Sequence, residues 1–428
     1  MIKMPSSQAP KSSQDYDNES LEILNNFICH LNTADDESYP DEASIDLKYT
    51  ADLQRKRLHS KNAGIKTEYR FYKNKLRGVA WKLDKDTRYI TRMPFYLLHT
   101  KSEYFVNNKL KKRHKEDQTL YSQAIWLKDQ NINASYCCPN CGAVSSTSKL
   151  INGCSQCGTK FLMSDLFPKI TNYYTLKKEN YSAALIPCII IGILFALGFC
   201  GYANYDNIIA DISSTEIFPK IALAGVAALA AGAGVVMGYL LFAVFTVLLV
   251  LSQALLSLPY LIQLIKTRIK LPKFMREFEP NFSLDHFIGK LTALVGIMVY
   301  TDDYSNCAVY CGEPAENRFK NIIDLRYYGY MNFEDAHIEG NYVYLNMDIH
   351  MNTVYCKGSH ISKKKDIFSL LLCKNVNAEN DYGFSIHKIE CQNCGASFDA
   401  TREKYCPYCH SPYHIQNYDW VVLKFDKK

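Results

Sequence analysis

Residues 391–409 read CQNCGASFDATREKYCPYC, and residues 138–157 read CPNCGAVSSTSKLINGCSQC. The same arrangement of two CxxC pairs therefore occurs twice in one chain. A CxxC turn presents two thiolates from a single loop, and a second CxxC closes a tetrahedral site. Twelve residues separate Cys141 from Cys154 and eleven separate Cys394 from Cys406, spacings that suit a zinc ribbon. Two structural Zn²⁺ ions are expected, one on Cys138, Cys141, Cys154 and Cys157, the other on Cys391, Cys394, Cys406 and Cys409. Cys137 and His410 adjoin ligands as substitutes, but the evenly spaced set is preferred. Gly142, Gly158 and Gly395 each follow a cysteine, where a knuckle turn needs positive φ. Four protein ligands leave no open position, so the metal is expected to fold the ribbon and not to catalyse.

Between the ribbons lie the apolar tracts 183–200 and 221–265. If both ribbons sit in a reducing compartment, a membrane between them is crossed an even number of times. Tyr181–Tyr202 has the length of one spanning helix. The following loop carries Asp206, Asp211 and Glu216, whereas Lys169, Lys177 and Lys178 precede the first tract and Lys266, Arg268, Lys270, Lys273 and Arg276 follow the second. The positive-inside rule then places both flanks, and both termini, in the cytosol. The tract 221–265 would extend about 67 Å as helix, too long for one crossing. One span over 221–245 is expected, with an interfacial or packed extension to 265 bent near Pro259; three crossings are the alternative. Ala and Gly crowd its first half, a surface for packing on the other span or for a homo-oligomer.

With 428 residues, 48% hydrophobic and 13% aromatic, the chain has material for several packed domains, and its net charge of +6 is modest. Eight of the sixteen cysteines fall into the ribbons, which argues for metal binding over a disulfide scaffold. The N-terminus has no apolar segment of the kind a cleavable signal needs. Residues 1–60 are polar and are expected to be a disordered tail with one short helix over 21–31. Residues 61–165 read as a β-rich module ending in the first ribbon, with strands over 89–98 and 119–127. After the membrane tract, Ser283 caps a helix with apolar residues from Leu284 to Met298, and strands are expected over 342–351, 366–373 and 382–389.

The two soluble parts share a layout of strand, basic turn, strand and ribbon. The basic turns, Lys109–Lys115 and Lys363–Lys365, lie at nearly the same distance before their ribbons, which suggests a duplicated unit. These turns are sites for RNA or anionic lipid if they are more than solvated tips. Cys307 and Cys311 read as ordinary residues.

The segments PNFSLDHFIGKLTALVGIMVYTDD and IECQNCGASFDATREKYCPYCHSPYHIQNYDWVVLKF resemble the Tim-forty-four-like domain of bacterial membrane proteins with C-terminal zinc ribbons. The resemblance covers about 275–425, and FYKNKLRGVAWKLDKDTRYITRMPFYLL leading into CPNCG is similar to a ribbon-bearing module of the same proteins. It implies an α+β fold: two ribbon-bearing antiparallel-sheet modules flanking a transmembrane hairpin, the module at 275–428 a nuclear-transport-factor-two-like cone with an apolar hollow. Mitochondrial members of that family tether an import chaperone, a role this chain's sequence does not carry over.

The functional expectation is a multi-pass, membrane-anchored, non-enzymatic scaffold that binds a protein partner beside the lipid bilayer. The contact is expected in the hollow, near Tyr342, Tyr344, Asp348 and His350. The alternatives are a small-ligand-binding protein or enzyme using the same hollow, and nucleic-acid binding through the ribbons, which is disfavoured. No nucleophile-plus-base motif, phosphate loop or open metal site supports an enzyme. Asp348 and His350 pair as acid and base only if they line a pocket; otherwise they form the solvated face of a strand.

Overall fold

The structure, a computed structural model, describes residues 11–33, 40–73, 76–83, 89–128, 135–138, 140–146, 149, 153–159, 161–162, 168–177, 184–213, 217–378, 387–388, 391–396, 398 and 402–428. The chain divides into two compact units, one formed by the chain up to Lys177 together with Gln263–Lys428, the other by Lys178–Ile262.

The first unit begins with helices α1 (Ser13–Thr33) and α2 (Ile45–Ser60), followed by β1 (Ala63–Phe71), β2 (Arg77–Leu83), β3 (Tyr89–Val106) and β4 (Lys109–Leu127). Two short strands, β5 (Ser135–Cys137) and β6 (Val144–Ser146), belong to the first ribbon, and β7 (Phe161–Leu162) follows it. Strand β8 (Lys169–Lys177) then returns to the sheet, whose order is β1-β3-β4-β8 with β2 also paired to β3.

The second unit holds α3 (Leu185–Ala203), α4 (Tyr205–Ser213) and most of α5 (Ile217–Met275). Back in the first unit come α6 (Leu284–Tyr300), β9 (Ile322–Glu339), β10 (Tyr342–Lys357), β11 (His360–Asn375), β12 (His387–Lys388) and β13 (Val421–Lys427). Their sheet has the order β13-β11-β10-β9.

The two sheets follow one plan. In each, a long hairpin (β3–β4, β10–β11) is flanked on one side by the preceding strand or strands and on the other by the strand that follows the ribbon. Equivalent cysteines lie about 250 positions apart, as expected for a repeated unit. Each sheet also carries its own helix. Leu24, Phe27 and Ile28 of α1 pack on Tyr69, Tyr96, Leu98, Leu120 and Ile170 of the first sheet. Leu291, Leu294 and Met298 of α6 pack on Val343, Leu345, Met347, Ile349, Phe368 and Leu370 of the second.

The two modules are not separate bodies, contrary to the sequence expectation of domains at 61–165 and 275–428. The core around α6 also takes Tyr174 from β8, with Met93 and Tyr121 from the first sheet and Tyr49 and Leu53 from α2 packed against it. The face of the first sheet opposite α1 thus helps bury α6, which gives a stack of helix, sheet, helix and sheet. The hairpin tips also meet, where Tyr104 and Val106 join Val354, Cys356 and Ile361 in one small cluster.

Residues 13–33 and 45–60 form helices, not the expected tail. Polar composition misleads here because a few apolar residues, Leu24, Phe27 and Ile28 among them, are joined by buried polar anchors in docking the helices. Arg92, fully buried, donates from Nε to Asp17 Oδ1 at 2.7 Å. Asn32 bonds both backbone groups of Tyr69 in edge strand β1, at 2.7 and 2.8 Å. Ser44 caps α2 by accepting from the Leu47 N–H at 3.2 Å. Arg57, 1% exposed, donates to the carbonyls of Val299 (3.2 Å), Tyr300 (3.1 Å) and Phe319 (3.1 Å) and to Asp302 (2.9 Å). It thereby covers the open C-terminal carbonyls of α6.

The expected basic turns are strand: Lys109–Lys115 opens β4 and Lys363–Lys365 lies inside β11. The actual turns use Asn107 (φ 50), Asn108 (φ 58) and Gly358 (φ 56), the residues that tolerate the left-handed region. Of the strand expected at 382–389, only 387–388 lie within the described residues, and they pair with β7 instead of joining the sheet. β13 completes that sheet.

In the second unit, α3 and the stretch Lys220–Ser252 of α5 are long and apolar enough to cross a membrane, with mean hydropathies of 2.3 and 2.6. Helix α5 continues unbroken to Met275, well beyond the expected limit at 265, and Leu271 and Met275 end fully buried in the α6 core. The two apolar helices touch through glycines. A Cβ added at Gly192 would collide with the backbone of Gly234 and Gly238, and one at Gly238 with the backbone of Ile189. Gly234 and Gly238 form a GxxxG pair, the spacing that lets helix backbones approach.

Candidate metal centres

Each ribbon is built from two knuckles with one backbone pattern. The N–H of the residue after the second cysteine donates to the carbonyl of the first: Gly142 to Cys138, Gly158 to Cys154, Gly395 to Cys391 and His410 to Cys406, at 2.8–2.9 Å. That residue has positive φ in all four, between 60 and 72. Glycine takes the position three times; the fourth is His410, whose role is conformational and which lies outside the ligand set.

The predicted ligands come together as two groups, Cys138/Cys141/Cys154/Cys157 and Cys391/Cys394/Cys406/Cys409, with all Sγ atoms of a group within 4.8 Å of one another. The Sγ separations are 3.7 Å for Cys138–Cys157, 3.6 Å for Cys141–Cys154, 3.3 Å for Cys391–Cys409 and 3.7 Å for Cys394–Cys406. A tetrahedral ion with metal–sulfur bonds of about 2.3 Å needs sulfurs about 3.8 Å apart, so both sets fit zinc. In each group the first cysteine of both knuckles is buried.

Both sites share one further feature. Thr159 Oγ1 lies 3.0 Å from Cys157 Sγ, and Ser411 Oγ lies 3.3 Å from Cys409 Sγ, each hydroxyl two residues after the last ligand. The hydroxyl contacts are the main influence that lowers the pKa of the Cys157 and Cys409 thiols. A hydroxyl beside the sulfur favours the thiolate, the form a metal needs. Cys137 lies in β5, exposed, and is not among the grouped cysteines.

The ribbons are tied to their surroundings. β7 pairs with β12, so a short ladder joins the chain after one ribbon to the chain before the other. Arg402 sits 5.0 Å over the Tyr49 ring of α2, and Lys404 donates to the Tyr310 carbonyl at 2.9 Å.

The other sequence candidates do not assemble. The apolar face of β10 is filled by α6, so the expected hollow is core. Tyr342, Tyr344, Asp348 and His350 occupy the opposite face. Tyr342 bonds Asn417 at 2.9 Å, Tyr344 stacks on His337 at 5.0 Å, Asp348 pairs with Lys428, and His350 packs against Tyr330 at 4.5 Å. Burial holds the His350 imidazole below its ordinary pKa. Cys307 is buried, its thiol pushed up to about 11, mainly by that burial.

Sequence reasoning missed an ion cluster. Lys290 Nζ lies 2.7 Å from Asp419 and 3.1 Å from Asp46, joining α6, α2 and the approach to β13. Burial disfavours its charge, but Asp419 and Asp46 more than offset this and raise its pKa. The available signal was a lysine inside an otherwise apolar helix.

No protein-family model, characterised protein or solved structure matches the chain.

Proposed function

We propose that the chain is a membrane-anchored, non-enzymatic scaffold whose two ribbons are held by zinc and whose second ribbon presents a protein-binding surface. The observation that carries this reading is the aromatic surface around residues 391–418. Tyr405, Tyr408 and Tyr418 are 40%, 69% and 37% exposed. Beside them a shallow cleft of about 50 Å³ is lined by Phe398, Tyr413, His414 and Asn417. Tyr413 stacks on Tyr418 at 5.8 Å and meets Phe398 edge-on, so the floor is rigid. Tyrosine is among the side chains enriched at protein interfaces and their hot spots. A closed four-thiolate site leaves its metal no position for substrate.

Membrane anchoring rests on α3 and residues 220–252, whose large side chains face outward, Phe195 at 61% and Leu229 at 77% exposed, unlike those of a buried core helix. With the charge bias of the flanks, the hairpin reading puts both termini in the cytosol. The Tim-forty-four-like reading of 275–428 rests on the sequence resemblance, with its hollow filled by α6, and the matching first module supports a duplication.

The test is a photo-crosslinking residue at position 408 of the full-length protein in its own membranes. A single reproducible adduct, lost in Tyr418→Ala with zinc content unchanged, supports the scaffold reading. No adduct from position 408 or from position 405 overturns it. Deleting 275–428 is a poor test because that segment shares a core with the first module.

A further inference from the structure

Where α2, α6, β8 and the start of β9 converge lies a cavity of about 60 Å³, lined by Thr50, Gln54, Asn172, Tyr300, Asp324 and Arg326 among others. It lies on the seam between the two repeats, away from both ribbons. Asn172 and Tyr300 are each only 4% exposed, and among the described residues Asn172 Nδ2 and Tyr300 Oη have no hydrogen-bond partner. Buried polar atoms are nearly always satisfied by protein, water or ligand.

The donor and acceptor balance points to what is missing. The Asp324 carboxylate is well supplied: Oδ1 accepts from Gln54 Nε2 at 3.1 Å and from the Leu325 N–H at 3.0 Å, and Oδ2 faces Arg326 Nε at 3.4 Å. Arg326 has five N–H donors, and among the described residues it uses, besides the Nε contact, one Nη1 bond of 3.0 Å to Tyr69 Oη. The wall is therefore rich in donors and anchored on a guanidinium. Water brings as many donors as acceptors; an oxyanion brings acceptors only, and its bonds to a guanidinium are charge-assisted.

We propose that this cavity binds a small oxyanion, the carboxylate or phosphate group of a small molecule, on Arg326 with Asn172 and Tyr300 as further donors. The site does not depend on the scaffold reading. Thr50 and Gln54 of α2, which line it, are half-buried. Ala51, also on the wall, offers a position from which a larger side chain would fill the space.

The experiment titrates the full-length protein, purified in a chloride buffer, with acetate in one arm and inorganic phosphate in the other, at constant ionic strength. Thermal midpoint and titration calorimetry are the readouts. One of the two anions is expected to raise the midpoint and bind saturably, and Asn172→Asp, which replaces a donor by a carboxylate, to weaken that binding at least about tenfold. Ala51→Leu is expected to abolish it, and it decides alone if Asn172→Asp lowers zinc content. Absence of any saturable response to either anion in the unaltered protein overturns the proposal. So does a response that persists in Ala51→Leu, which would place the ion on surface lysines.

Discussion

Replacing Arg57 by alanine tests whether the N-terminal helices belong to the body of the protein. Its guanidinium makes four hydrogen bonds of 2.9–3.2 Å, three to carbonyls at or beyond the end of α6 and one to Asp302. A hydrogen bond to a charged group contributes about 1.5–3 kcal/mol, but water entering the truncated site recovers part of the four. A net loss of about 3–5 kcal/mol is expected, in the range for breaking a buried charged contact. At about 2 °C per kcal/mol for a large unit, the unfolding midpoint should fall by roughly 5–10 °C. Tryptophan fluorescence is the assay, because Trp81, Trp126 and Trp420 all lie in the first unit. Lys48→Ala is the control, since among the described residues Lys48 pairs only with the fully exposed Asp41, and such pairs contribute about 0–1 kcal/mol. If Arg57→Ala shifts the midpoint no more than Lys48→Ala, α2 is not docked as described.

Three other outcomes follow from particular residues. His410→Gly, which removes the only non-glycine from the four knuckle turns, should stabilise the second ribbon by about 1 kcal/mol in denaturant unfolding, and Gly395→His should cost a similar amount. His286, stacked on Tyr89 at 4.9 Å, has its pKa lowered to about 4, chiefly by burial, with Asp46, Lys290, Asp419 and Lys374 around it. The unfolded chain therefore takes up its proton first, and this contribution to stability is complete above about pH 6.5 and is lost as pH falls toward 4, by up to about 1.4 kcal/mol per pH unit. His286→Phe, which keeps the stack, should flatten the melting profile in that window; an unchanged slope would refute the assignment. Gly192→Leu should sharply lower the amount of folded protein in membranes, because its side chain would enter the α5 backbone, while Gly198→Leu, with open space around it, should be tolerated.

What the sequence disclosed was local. The eight ligands were legible because a CxxC turn and its partner lie within twenty residues, and α6 because Ser283 and an apolar period mark it, the cap bond to His286 N–H being present at 3.4 Å. The alternation in 342–351 likewise gave the buried face of β10. What stayed hidden depends on residues distant in sequence. Arg57 and Arg92 look like surface charges until α6 and Asp17 are placed beside them. The lysines of β4 resemble a turn because most of them, Lys109, Lys111 and Lys115, sit on the exposed face of the strand near the hairpin tip. The hollow expected behind Tyr342–His350 disappears because the first sheet and α2 press α6 into it.

Two four-cysteine groups are proposed to hold zinc and so to stabilise the two modules, and elemental analysis of the purified full-length chain tests this. Two zinc ions per chain are expected, and one in each of Cys154→Ser and Cys406→Ser, each loss accompanied by a lower tryptophan-detected unfolding midpoint. Both ions retained in either variant, or metal-free protein that unfolds at an unchanged midpoint, would contradict it.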